Sequence, residues 1–478
     1  MPVGPVLSGR WDVLVVGGGP AGLAVALELR RRGVLSVAVV ERSAYGAPRI
    51  GETLSPGARA LLVHLGVWAA FEADGHLPAY GTAAAWSGPD LVERDFLLTP
   101  HGGGWNLDRQ RFDAGLASAA EARGAPVWRR SRLLRVEQDD GWQVLVDHDG
   151  TAEVHRARFL VDATGRTAGV ARRLGAERRR LDRQVAVVAP IVCDEAPAGR
   201  DRTHHTVVEA CEVGWWYGVR LPRAPRGAEG REPGPELMAA LITDPDLVRA
   251  HRLARPAVWS GLLHGTRHVG ALAREGRPAA PPRVVAAHSA WLPRVAAPGW
   301  LAVGDAAASH DPLSASGILR ALDSAVHAAH AIHSALVDGR MEPLAEYEAR
   351  QAQAYRQYAE TRARYYQLEQ RWPDALFWRR RQRSVTLDPR AWVRRTSRRA
   401  GEPAPRLPAD LGPLPAAWLL DLCDRPRPAH EVVAEHRRRF PAAGDLEVVL
   451  ALQWLLQWGA LEIVAAGTQA PRERAHVP

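Results

Sequence analysis

The sequence has no lysine, so all 62 of its basic residues other than histidine are arginines, against 53 acidic residues. This absence excludes a lysine nucleophile, a Schiff-base lysine and the lysine of a phosphate-binding P-loop. The net charge of +9 is spread over short arginine runs along the chain. Such a pattern is typical of solvated helix faces rather than of a surface that follows phosphates, and we predict no nucleic-acid partner.

Cysteine is also scarce. Cys193, Cys211 and Cys423 lie far apart and form no CxxC pair, which argues against a disulfide framework or a metal site and fits a reducing compartment. Apolar runs long enough to span a bilayer are missing, and glycines interrupt the apolar stretch near the N-terminus. We therefore expect a soluble, cytoplasmic protein with no membrane partner, long enough for two or three domains.

The N-terminal residues have the order of a dinucleotide-binding unit. Residues 11–16 and 37–40 are apolar runs typical of strands, and residues 23–32 are typical of a helix. The turn before this helix consists of Gly17, Gly18, Gly19, Pro20, Ala21 and Gly22, and the second run is followed by Glu41 and Arg42. Strand, GxGxxG turn, helix, strand and acid in this order predict a dinucleotide-binding fold, with these residues at the cofactor.

The residues of this turn have separate predicted roles. Gly17 permits the tight turn, Gly19 lets the backbone approach a pyrophosphate, and Gly22 lets the helix pack closely on the strand. The N-terminus of the helix offers N–H groups and a positive dipole end to the phosphates. Glu41 is predicted to accept hydrogen bonds from the ribose hydroxyls.

A second motif lies far along the chain. Residues 300–308 are an apolar run that contains Gly304 and Asp305, and they are followed by Pro312, Gly317 and a helix-like stretch from Ile318. Between the two motifs, residues 160–165 are an apolar run that ends in Asp-Ala-Thr-Gly. These three motifs resemble those of the p-hydroxybenzoate hydroxylase-like flavoproteins and the flavin-dependent halogenases.

The resemblance implies that the dinucleotide is FAD. It places Asp305 on the ribityl chain and Pro312 beside the isoalloxazine. It also directs the N-terminus of the helix that begins near Gly317 and Ile318 at the pyrimidine end of the flavin. A helix N-terminus there would stabilise the negative charge of the reduced flavin.

Two further segments resemble the halogenase branch. Residues 51–56, with Glu52, are similar to its GExLxP segment, and residues 107–113 are similar to its LDRxxFD segment. The resemblance implies that Arg109 lies near the flavin. Glu52 is a predicted catalytic residue that orients the substrate or moves a proton. The alternative is a loop carboxylate that caps a helix or pairs with an arginine.

The chain departs from the halogenases where halide chemistry is needed. Those enzymes use a lysine, which this chain lacks, and a GWxWxIP motif. The matching residues 214–222 read GWWYGVRLP, with Tyr217 at the second tryptophan. We therefore expect a monooxygenase, in which reduced flavin and O₂ form a C4a-hydroperoxide that hydroxylates an electron-rich ring. NAD(P)H or a partner flavin reductase would supply the electrons.

The middle of the chain is the predicted substrate-binding domain. Alternating runs at residues 184–193, 206–211 and 215–221 indicate an antiparallel sheet. The predicted substrate contacts are Trp215, Trp216 and Tyr217, and the candidate histidines are His264, His288 and His310. His310 is the predicted catalytic one, because it precedes the Asp-Pro turn that would face the flavin. A packing role is the alternative for each.

The C-terminal residues predict a separate module. Residues 416–423, 429–438 and 445–458 have helical periodicity, and Gly459 and an apolar run at 460–464 follow them. This winged-helix-like pattern resembles the peptide-recognition elements of enzymes that modify ribosomal peptides. A structural cap or a dimer contact is the alternative.

The predicted architecture is α/β. A Rossmann-like FAD-binding domain, residues 1–181 and 299–400, carries an inserted antiparallel-sheet substrate domain, residues 182–298. A linker at 401–415 then leads to the helical, winged-helix-like C-terminal segment at 416–478.

The choice of substrate depends on a second resemblance. Residues 345–370 predict a long amphipathic helix with five tyrosines. Residues 365–373 and 377–380 resemble the C-terminal region of flavoproteins that mature tryptophylquinone cofactors. The resemblance implies a tryptophan side chain in a peptide or protein as the substrate. The alternatives are a small or carrier-bound aromatic metabolite, a halogenase activity, and a flavin-binding partner protein without catalysis.

Overall fold

The computed structural model describes residues 6–33, 35–96, 100–192, 204–222, 237–274, 276–382, 387–396, 404–407, 411, 414–441 and 444–465. Cys193 and most of the predicted linker at 401–415 lie outside these residues. The chain forms two compact units, one made of Met1–Arg178 and Gln184–Arg364, the other of Arg179–Arg183 and Tyr365–Pro478. Within the described ranges, no helix has both the length and the apolar character needed to cross a membrane.

The strands in the described part of the chain are β1 (Val6–Val16), β2 (Val37–Val40), β3 (Thr53–Leu54), β4 (Leu77–Ala79), β5 (Gly81–Ala85), β6 (Val92–Asp95), β7 (Gly104–Asn106), β8 (Val127–Trp128), β9 (Ser131–Asp139), β10 (Gly141–His148), β11 (Thr151–Asp162), β12 (Arg179–Arg180), β13 (Val185–Val192), β14 (His205–Cys211), β15 (Gly214–Arg220), β16 (Leu237–Thr243), β17 (Arg277–Pro278), β18 (Arg283–Ala286), β19 (Ala290–Trp291), β20 (Ala296–Ala297), β21 (Trp300–Ala302), β22 (Ala308–Ser309), β23 (Trp392–Arg395), β24 (Arg427–Pro428) and β25 (Leu461–Val464).

The α-helices in the same ranges are α1 (Pro20–Arg32), α2 (Ala58–His64), α3 (Trp68–Ala73), α4 (Arg109–Ala122), α5 (Gly169–Arg173), α6 (Pro245–Ala250), α7 (Pro256–His264), α8 (Val269–Leu272), α9 (Gly317–Leu336), α10 (Glu342–Leu368), α11 (Leu376–Gln382), α12 (Ala416–Leu422), α13 (Ala429–Arg439) and α14 (Asp445–Gln457). Short 3-10 turns occur at Gly165–Thr167, Gly304–Ala306 and Pro312–Ser314.

The first unit is built on a parallel sheet. Its strand order is β20, β21, β11, β1, β2, β8, and the pairs from β21 to β8 are parallel. The register pairs Val16 with both Val40 and Asp162, and it pairs Asp162 with Ala302. The carboxyl ends of β1, β2, β11 and β21 therefore meet at one edge, where open α/β sheets bind their ligands.

Burial explains the apolar runs that predicted these strands. The described side chains of β1 from Val13 onward and all those of β2 are buried, as expected where helices cover both faces of a parallel sheet. Helix α1 packs against both α4 and α9. Each fully buried side chain such as Leu14 contributes about 1.5–3 kcal/mol, so this core fixes the edge that carries the glycine-rich turn.

A second sheet in the first unit has the order β17, β13, β16, β15, β14, β5, β6, with β18 also paired to β13. Its pairs are antiparallel apart from β14 with β5. The strands β5 and β6 come from a segment before α4, and the sequence patterns did not predict them. A small sheet of β3, β7 and β4 belongs to the same unit and carries the Glu52 segment.

The second unit contains the C-terminal helices. The predicted helices at 416–423, 429–438 and 445–458 are confirmed to within one residue at each end, as α12, α13 and α14. They share a core that includes Val393, Leu419, Val432, Leu452 and Leu455. The strands β24, β23 and β25 form a three-stranded sheet, of which the sequence patterns predicted β25 but neither β23 nor β24. The three helices agree with the predicted helical C-terminal segment, and its winged-helix-like character stays a prediction.

Candidate functional site

The glycine-rich turn has the geometry of a pyrophosphate site. Gly17 has a φ of +113°, and a Cβ there would lie 2.1 Å from the carbonyl oxygen of Ala163. A Cβ at Gly22 would lie 2.0 Å from the carbonyl oxygen of Gly17, so glycine is required for α1 to pack this closely on the turn. A Cβ at Gly19, by contrast, would meet no atom within 4 Å. The backbone at Gly19 is therefore open to an approaching ligand.

The first turn of α1 provides the matching electrostatics. Pro20 occupies the first helical position and Ala21 the next, while the capping residue Gly19 has no side chain that could bond to the first N–H groups. A helix N-terminus of this kind attracts an anion. These residues fit the pyrophosphate of FAD.

Glu41 directly follows β2 beside this turn. Its Oε2 accepts the N–H of Gly18 at 2.7 Å, and its Oε1 accepts the N–H and the hydroxyl of Ser43 at 2.9 and 2.6 Å and a guanidinium N–H of Arg49 at 2.9 Å. Protein donors therefore already anchor the carboxylate, and ribose hydroxyls would share it with them. Arg42, the next residue, is exposed.

Gly304 brings the second motif against the first. It has a φ of +56°, and a Cβ there would lie 2.8 Å from the Cβ of Ala21. Asp305 follows it in a 3-10 turn, with a carboxylate oxygen 3.4 Å from the Nε of Arg166 and a side chain that is 37% exposed. The fold thus brings Asp305 to the sheet edge that carries the glycine-rich turn, with its carboxylate accessible to a hydroxyl.

Pro312 and Gly317 mark the approach to α9. Pro312 begins a short 3-10 turn, and the side chain of Ser316 bonds to Arg320 rather than capping the helix. A Cβ at Gly317 would meet no atom within 4 Å, whereas Ile318 is buried. The N-terminus of α9 is therefore open on the side of Gly317, which suits the predicted contact with the flavin.

His310 is almost fully buried, and neither of its ring nitrogens has a hydrogen-bond partner among the described residues. Its ring lies edge-on to that of Tyr358, with 4.1 Å between the centroids. Burial, followed by the positive charges of Arg320 and Arg166, lowers the pKa of His310 to about 2. The imidazole is therefore neutral at physiological pH and has no imidazolium proton to donate.

Helix α10 holds the turn after His310 through two side chains that the sequence reasoning missed. The hydroxyl of Tyr358 accepts the N–H of Asp311 at 2.6 Å and lies 2.7 Å from the Oγ of Ser289. Arg362 donates from Nε to the buried Oδ2 of Asp311 at 3.0 Å. The tyrosine spacing in α10 was the available signal, and it indicated helix packing rather than contact with this turn.

Glu52 lies just before β3, and its side chain is 3% exposed. Its Oε2 accepts the N–H of Gly51 at 3.1 Å, while its Oε1 has no partner among the described residues. Burial raises the pKa of the Glu52 carboxyl to about 7, against smaller opposing effects of backbone N–H hydrogen bonds and of the positive charge of Arg109. Within the same residues this carboxylate neither caps a helix nor pairs with an arginine, so a structural role is not evident. A pKa near neutrality suits proton transfer.

Arg109 begins α4 and holds the segment that precedes Glu52. Its Nη1 donates to the carbonyl oxygens of Ile50 and Gly51 at 2.8 and 3.0 Å. Its Nε and Nη2 donate to the two carboxylate oxygens of Asp113 at 3.1 and 3.0 Å. Arg109 therefore supports the loop of Glu52, and its proximity to the flavin stays a prediction.

A group of polar side chains lies between the small sheet and the second sheet. Thr53 pairs with Asn106 across β3 and β7, so their side chains lie on one face. The Oγ1 atoms of Thr53 and Thr206 are 3.0 Å apart. On β14, Thr206 shares a face with Val208, which pairs with Tyr217 on β15. Tyr217 is therefore on the same side of the second sheet as this polar group.

Asn106 in this group and Tyr217 beside it have unusual polar environments. Asn106 is fully buried, and neither atom of its amide has a hydrogen-bond partner among the described residues. Burial, followed by the negative charge of Glu52, raises the pKa of Tyr217 well above its ordinary value. Buried polar groups in proteins are nearly always hydrogen-bonded, so this region has the character of a ligand site.

The three aromatic residues predicted to contact substrate do not share one face. Trp215 and Tyr217 lie on one face of β15 and Trp216 on the other, because side chains alternate along a strand. Trp216 packs edge-on against Trp259 of α7 with 5.2 Å between the ring centroids, and Trp215 lies 6.1 Å from Trp86. Of the three, Tyr217 is the one on which the charge of Glu52 acts.

The other candidate histidines have local contacts. His264 is exposed on α7, where its Nδ1 lies 2.8 Å from the carbonyl oxygen of Ser260. His288 offers its backbone carbonyl to Arg166 at 2.6 Å.

The two motifs at one sheet edge are those of a flavoprotein that binds FAD, and comparison with known proteins agrees. Residues 10–214 match the family described as FAD binding domain. The chain is 33% identical over 376 residues to the protein named FAD-dependent oxidoreductase LodB of Marinomonas mediterranea, which covers 78% of this chain and 96% of LodB. The chain belongs to this family of FAD-dependent oxidoreductases, which confirms the predicted FAD cofactor.

Two solved structures share the fold over nearly the whole chain. The myxobacterial chondrochloren halogenase CndH has a TM-score of 0.71 at 21% identity, covering 95% of this chain and 98% of CndH. The peptidyl tryptophan dihydroxylase QhpG, essential for tryptophylquinone cofactor biogenesis, has a TM-score of 0.58 at 23% identity, covering 94% of this chain and 99% of QhpG. These similarities confirm the predicted α/β architecture with a helical C-terminal segment.

Proposed function

We propose that this protein is an FAD-dependent monooxygenase that hydroxylates an electron-rich aromatic ring, with a tryptophan side chain in a peptide or protein as its substrate. The observation that carries the proposal is the buried carboxyl group of Glu52, whose pKa is about 7, in a chain that has no lysine. Aromatic hydroxylation needs a group that can take up or return a proton beside the ring, and Glu52 has the burial and the pKa for this task.

The missing lysine favours hydroxylation over halogenation. The halogenases that the motifs resemble use a lysine amine to carry the halogen, and arginine cannot replace it because the guanidinium does not lose its proton in proteins. In addition, Tyr217 stands at the second tryptophan of the halogenase motif, on the same side of the sheet as Thr206. A hydroxyl at this position suits the orientation of a substrate that itself carries hydrogen-bonding groups.

Reduced FAD, when bound, would supply two electrons to activate O₂, of which one oxygen atom would enter the ring and the other would leave as water. Residues 17–22 and Glu41 would hold its pyrophosphate and adenosine ribose, and Asp305 its ribityl chain. Glu52 would hold or move the proton, while Tyr217 and Asn106 orient the substrate. The burial of Glu52 and Asn106 would keep bulk water from the reacting groups. NAD(P)H or a partner flavin reductase would reduce the cofactor.

The choice of a peptide tryptophan rests on the second unit. QhpG acts as a peptidyl tryptophan dihydroxylase, and its similarity extends over 94% of this chain and so includes much of that unit. Residues 365–373 carry the resemblance to tryptophylquinone-maturing flavoproteins. The core shared by α12, α13, α14 and their small sheet gives the unit a folded surface that could recognise a peptide.

Product analysis with labelled O₂ tests the proposal. The holoenzyme, supplied with NADH, a flavin reductase and bromide, is offered tryptophan-containing peptides, the same peptides with phenylalanine at that position, and carrier-linked aromatic acids. We expect labelled oxygen in the tryptophan peptides alone. Oxygen in the carrier-linked acids would support the small-molecule reading instead. A brominated product, or hydrogen peroxide as the sole product with every substrate, would contradict the proposal.

A further inference from the structure

Four charged side chains connect the glycine-rich turn to the segment of Glu52. In order they are Glu41, Arg49, Asp113 and Arg109, and we call them the ion-pair chain. Each neighbouring pair is joined by at least one contact of 3.0 Å or less. One end of the chain lies at the predicted ribose site and the other at the loop that carries Glu52.

Arg49 anchors the first end. Its Nη2 donates to Oε1 of Glu41 at 2.9 Å and to Oγ of Ser43 at 2.6 Å. Its guanidinium also lies over the ring of Tyr45, at 5.2 Å from the centroid, and the hydroxyl of Tyr45 donates to the carbonyl of Gly18 at 2.9 Å. Arg49 is thus held by the residues that flank the predicted pyrophosphate and ribose positions.

Asp113 lies at the centre, fully buried between two arginines. Its Oδ2 accepts from Nη1 of Arg49 at 2.8 Å and from Nη2 of Arg109 at 3.0 Å, while its Oδ1 accepts from Nε of Arg109 at 3.1 Å. A buried carboxylate that loses a partner leaves an uncompensated charge, so its hold on both arginines is strong. Both arginines bond to the same oxygen, so the position of one affects the other.

Arg109 is the last residue of the ion-pair chain, and it bonds to the backbone just before Glu52. Its Nη1 bonds to the carbonyl oxygens of Ile50 and Gly51. Gly51 has a φ of +95°, and its N–H donates to the Glu52 carboxylate. The conformation of Gly51 sets the direction in which Glu52 leaves the backbone, and Arg109 holds that conformation.

We propose that the ion-pair chain transmits occupation of the ribose site at Glu41 to the position of Glu52, with Asp113 as the positioning residue. The inference rests on the proposed function in giving Glu52 its role with the proton. Ribose hydroxyls that bond to Glu41 change how that carboxylate is shared with Arg49. The change reaches Arg109 through the common oxygen of Asp113, and then the backbone of residues 50–51.

Hydrogen–deuterium exchange on the full-length protein, from which FAD has first been removed, tests the inference, with ADP as the probe. ADP carries the adenosine ribose and the pyrophosphate but no flavin ring, so protection that it causes at residues 50–54 is transmitted through the protein. In the wild type we expect ADP to slow amide exchange at residues 17–22 and at residues 50–54. In Asp113→Asn the protection at 17–22 should remain, and that at 50–54 should fall severalfold.

Glu121→Gln is the matched control. Glu121 is also a carboxylate of α4, and it is bonded by two nitrogens of one arginine, Arg129, at 2.6 and 2.8 Å, but it lies outside the ion-pair chain. This variant should keep both protections. Equal protection of residues 50–54 in Asp113→Asn and the wild type would overturn the inference. So would a wild type in which ADP protects residues 17–22 and leaves 50–54 unchanged.

Arg109→Gln tests the same connection if Asp113→Asn does not fold. It leaves Asp113 paired with Arg49 but removes the donors to residues 50–51, so ADP should again lose its effect at 50–54. The exchange measurement does not depend on the chemistry of Glu52. A Glu52→Gln variant that still hydroxylates would contradict the proposed function, while the exchange result would still decide whether the ion-pair chain transmits occupancy.

Discussion

Two regions of the first unit each bury a carboxylate, and they differ in how fully hydrogen bonds satisfy it. At the edge of the parallel sheet, Asp162 accepts four hydrogen bonds: from the N–H and hydroxyl of Thr164 at 2.9 and 2.6 Å, and from the N–H groups of Val170 and Ala171 at 3.0 and 2.8 Å. Beside the small sheet, one carboxylate oxygen of Glu52 accepts the N–H of Gly51, and the other has no hydrogen-bond partner within the described residues. The first carboxylate organises the fold, whereas the second is left for a ligand or a proton.

The same contrast extends to the neighbours of Glu52. Ser55 Oγ and both amide atoms of Asn106 are buried without a partner among the described residues. Leaving one such group unsatisfied costs about 1–3 kcal/mol. The region around Glu52 therefore gives up stability that the sheet edge keeps, which is expected where a protein binds and converts a substrate.

The largest effects on stability and on cofactor binding should separate two glycines of the same turn. Gly22→Ala places a Cβ 2.0 Å from the carbonyl oxygen of Gly17 and should destabilise the fold by about 3 kcal/mol. Gly19→Val has open space around its Cβ, so it should fold normally but bind FAD at least about a hundredfold more weakly, or by about 2.7 kcal/mol. Thermal unfolding and flavin content measure the two effects. A Gly19→Val protein that purifies with full FAD would contradict the placement of the pyrophosphate.

Glu52→Gln should lower the rate of hydroxylation about 10²–10⁴-fold, the usual contribution of a general acid or base, while FAD binding is retained. The amide keeps the shape of the side chain but cannot exchange a proton. Glu121→Gln is the matched control and should keep the wild-type rate, since Glu121 is bonded to Arg129 and lies outside the polar group around Glu52. Single-turnover rates measure the difference. Equal rates in Glu52→Gln and the wild type would show that Glu52 takes no part in the chemistry.

Stability should depend on pH through Glu52. The pKa of its carboxyl is about 7 in the folded protein, above the ordinary value of 4.5, so the folded state holds a proton that the unfolded state loses between these values. The associated stability is present below pH 4.5, falls as the pH rises, and is lost above pH 7, a change of about 3 kcal/mol at 1.36 kcal/mol per unit. Urea unfolding at pH 5 and pH 8 measures it. The decrease should be smaller in Glu52→Gln, and an equal decrease in both proteins would contradict this assignment.

The smallest effect on the free energy of unfolding is expected at Asn106, and Asp162 provides the comparison. Asn106→Leu removes two unsatisfied buried groups, so the free energy of unfolding should stay the same or rise by up to about 1 kcal/mol, while hydroxylation slows. Asp162→Asn turns an acceptor into a donor that faces two N–H groups and should cost about 2 kcal/mol. Urea unfolding of both variants makes the comparison. A strong destabilisation by Asn106→Leu would show that this amide has a structural partner.

Much of the cofactor region was predictable because its determinants are local. The glycines at 17 and 22 are required by contacts within a few residues of the turn, together with Ala163. The apolar runs of β1 and β2 follow from burial on both faces of a parallel sheet. For the same reason the C-terminal helices were found at nearly the correct residues, since helical periodicity is a property of consecutive positions.

The substrate region was harder to predict because its contacts are distant in sequence. Thr53 and Thr206 meet across 153 positions, and Arg362 reaches Gln184 across 178. Strands β5 and β6 joined the second sheet without a signal in their own composition. The sequence predicted Trp215, Trp216 and Tyr217 together as substrate contacts. Side chains alternate along a strand, so Trp216 lies on the opposite face from the other two. Which face lies at the candidate site is known only from the residues that pack against each face.

The sequence by itself indicated that the chain binds a dinucleotide, predicted where the pyrophosphate turn lies, and determined that no lysine is available for its chemistry. These follow from backbone sterics and residue identity, which are local. The tertiary structure decided the raised pKa of Glu52, the lowered pKa of His310 and the links from Glu41 to Arg109. Each of these depends on desolvation and on charges brought close by folding, and no pattern of neighbouring residues records them.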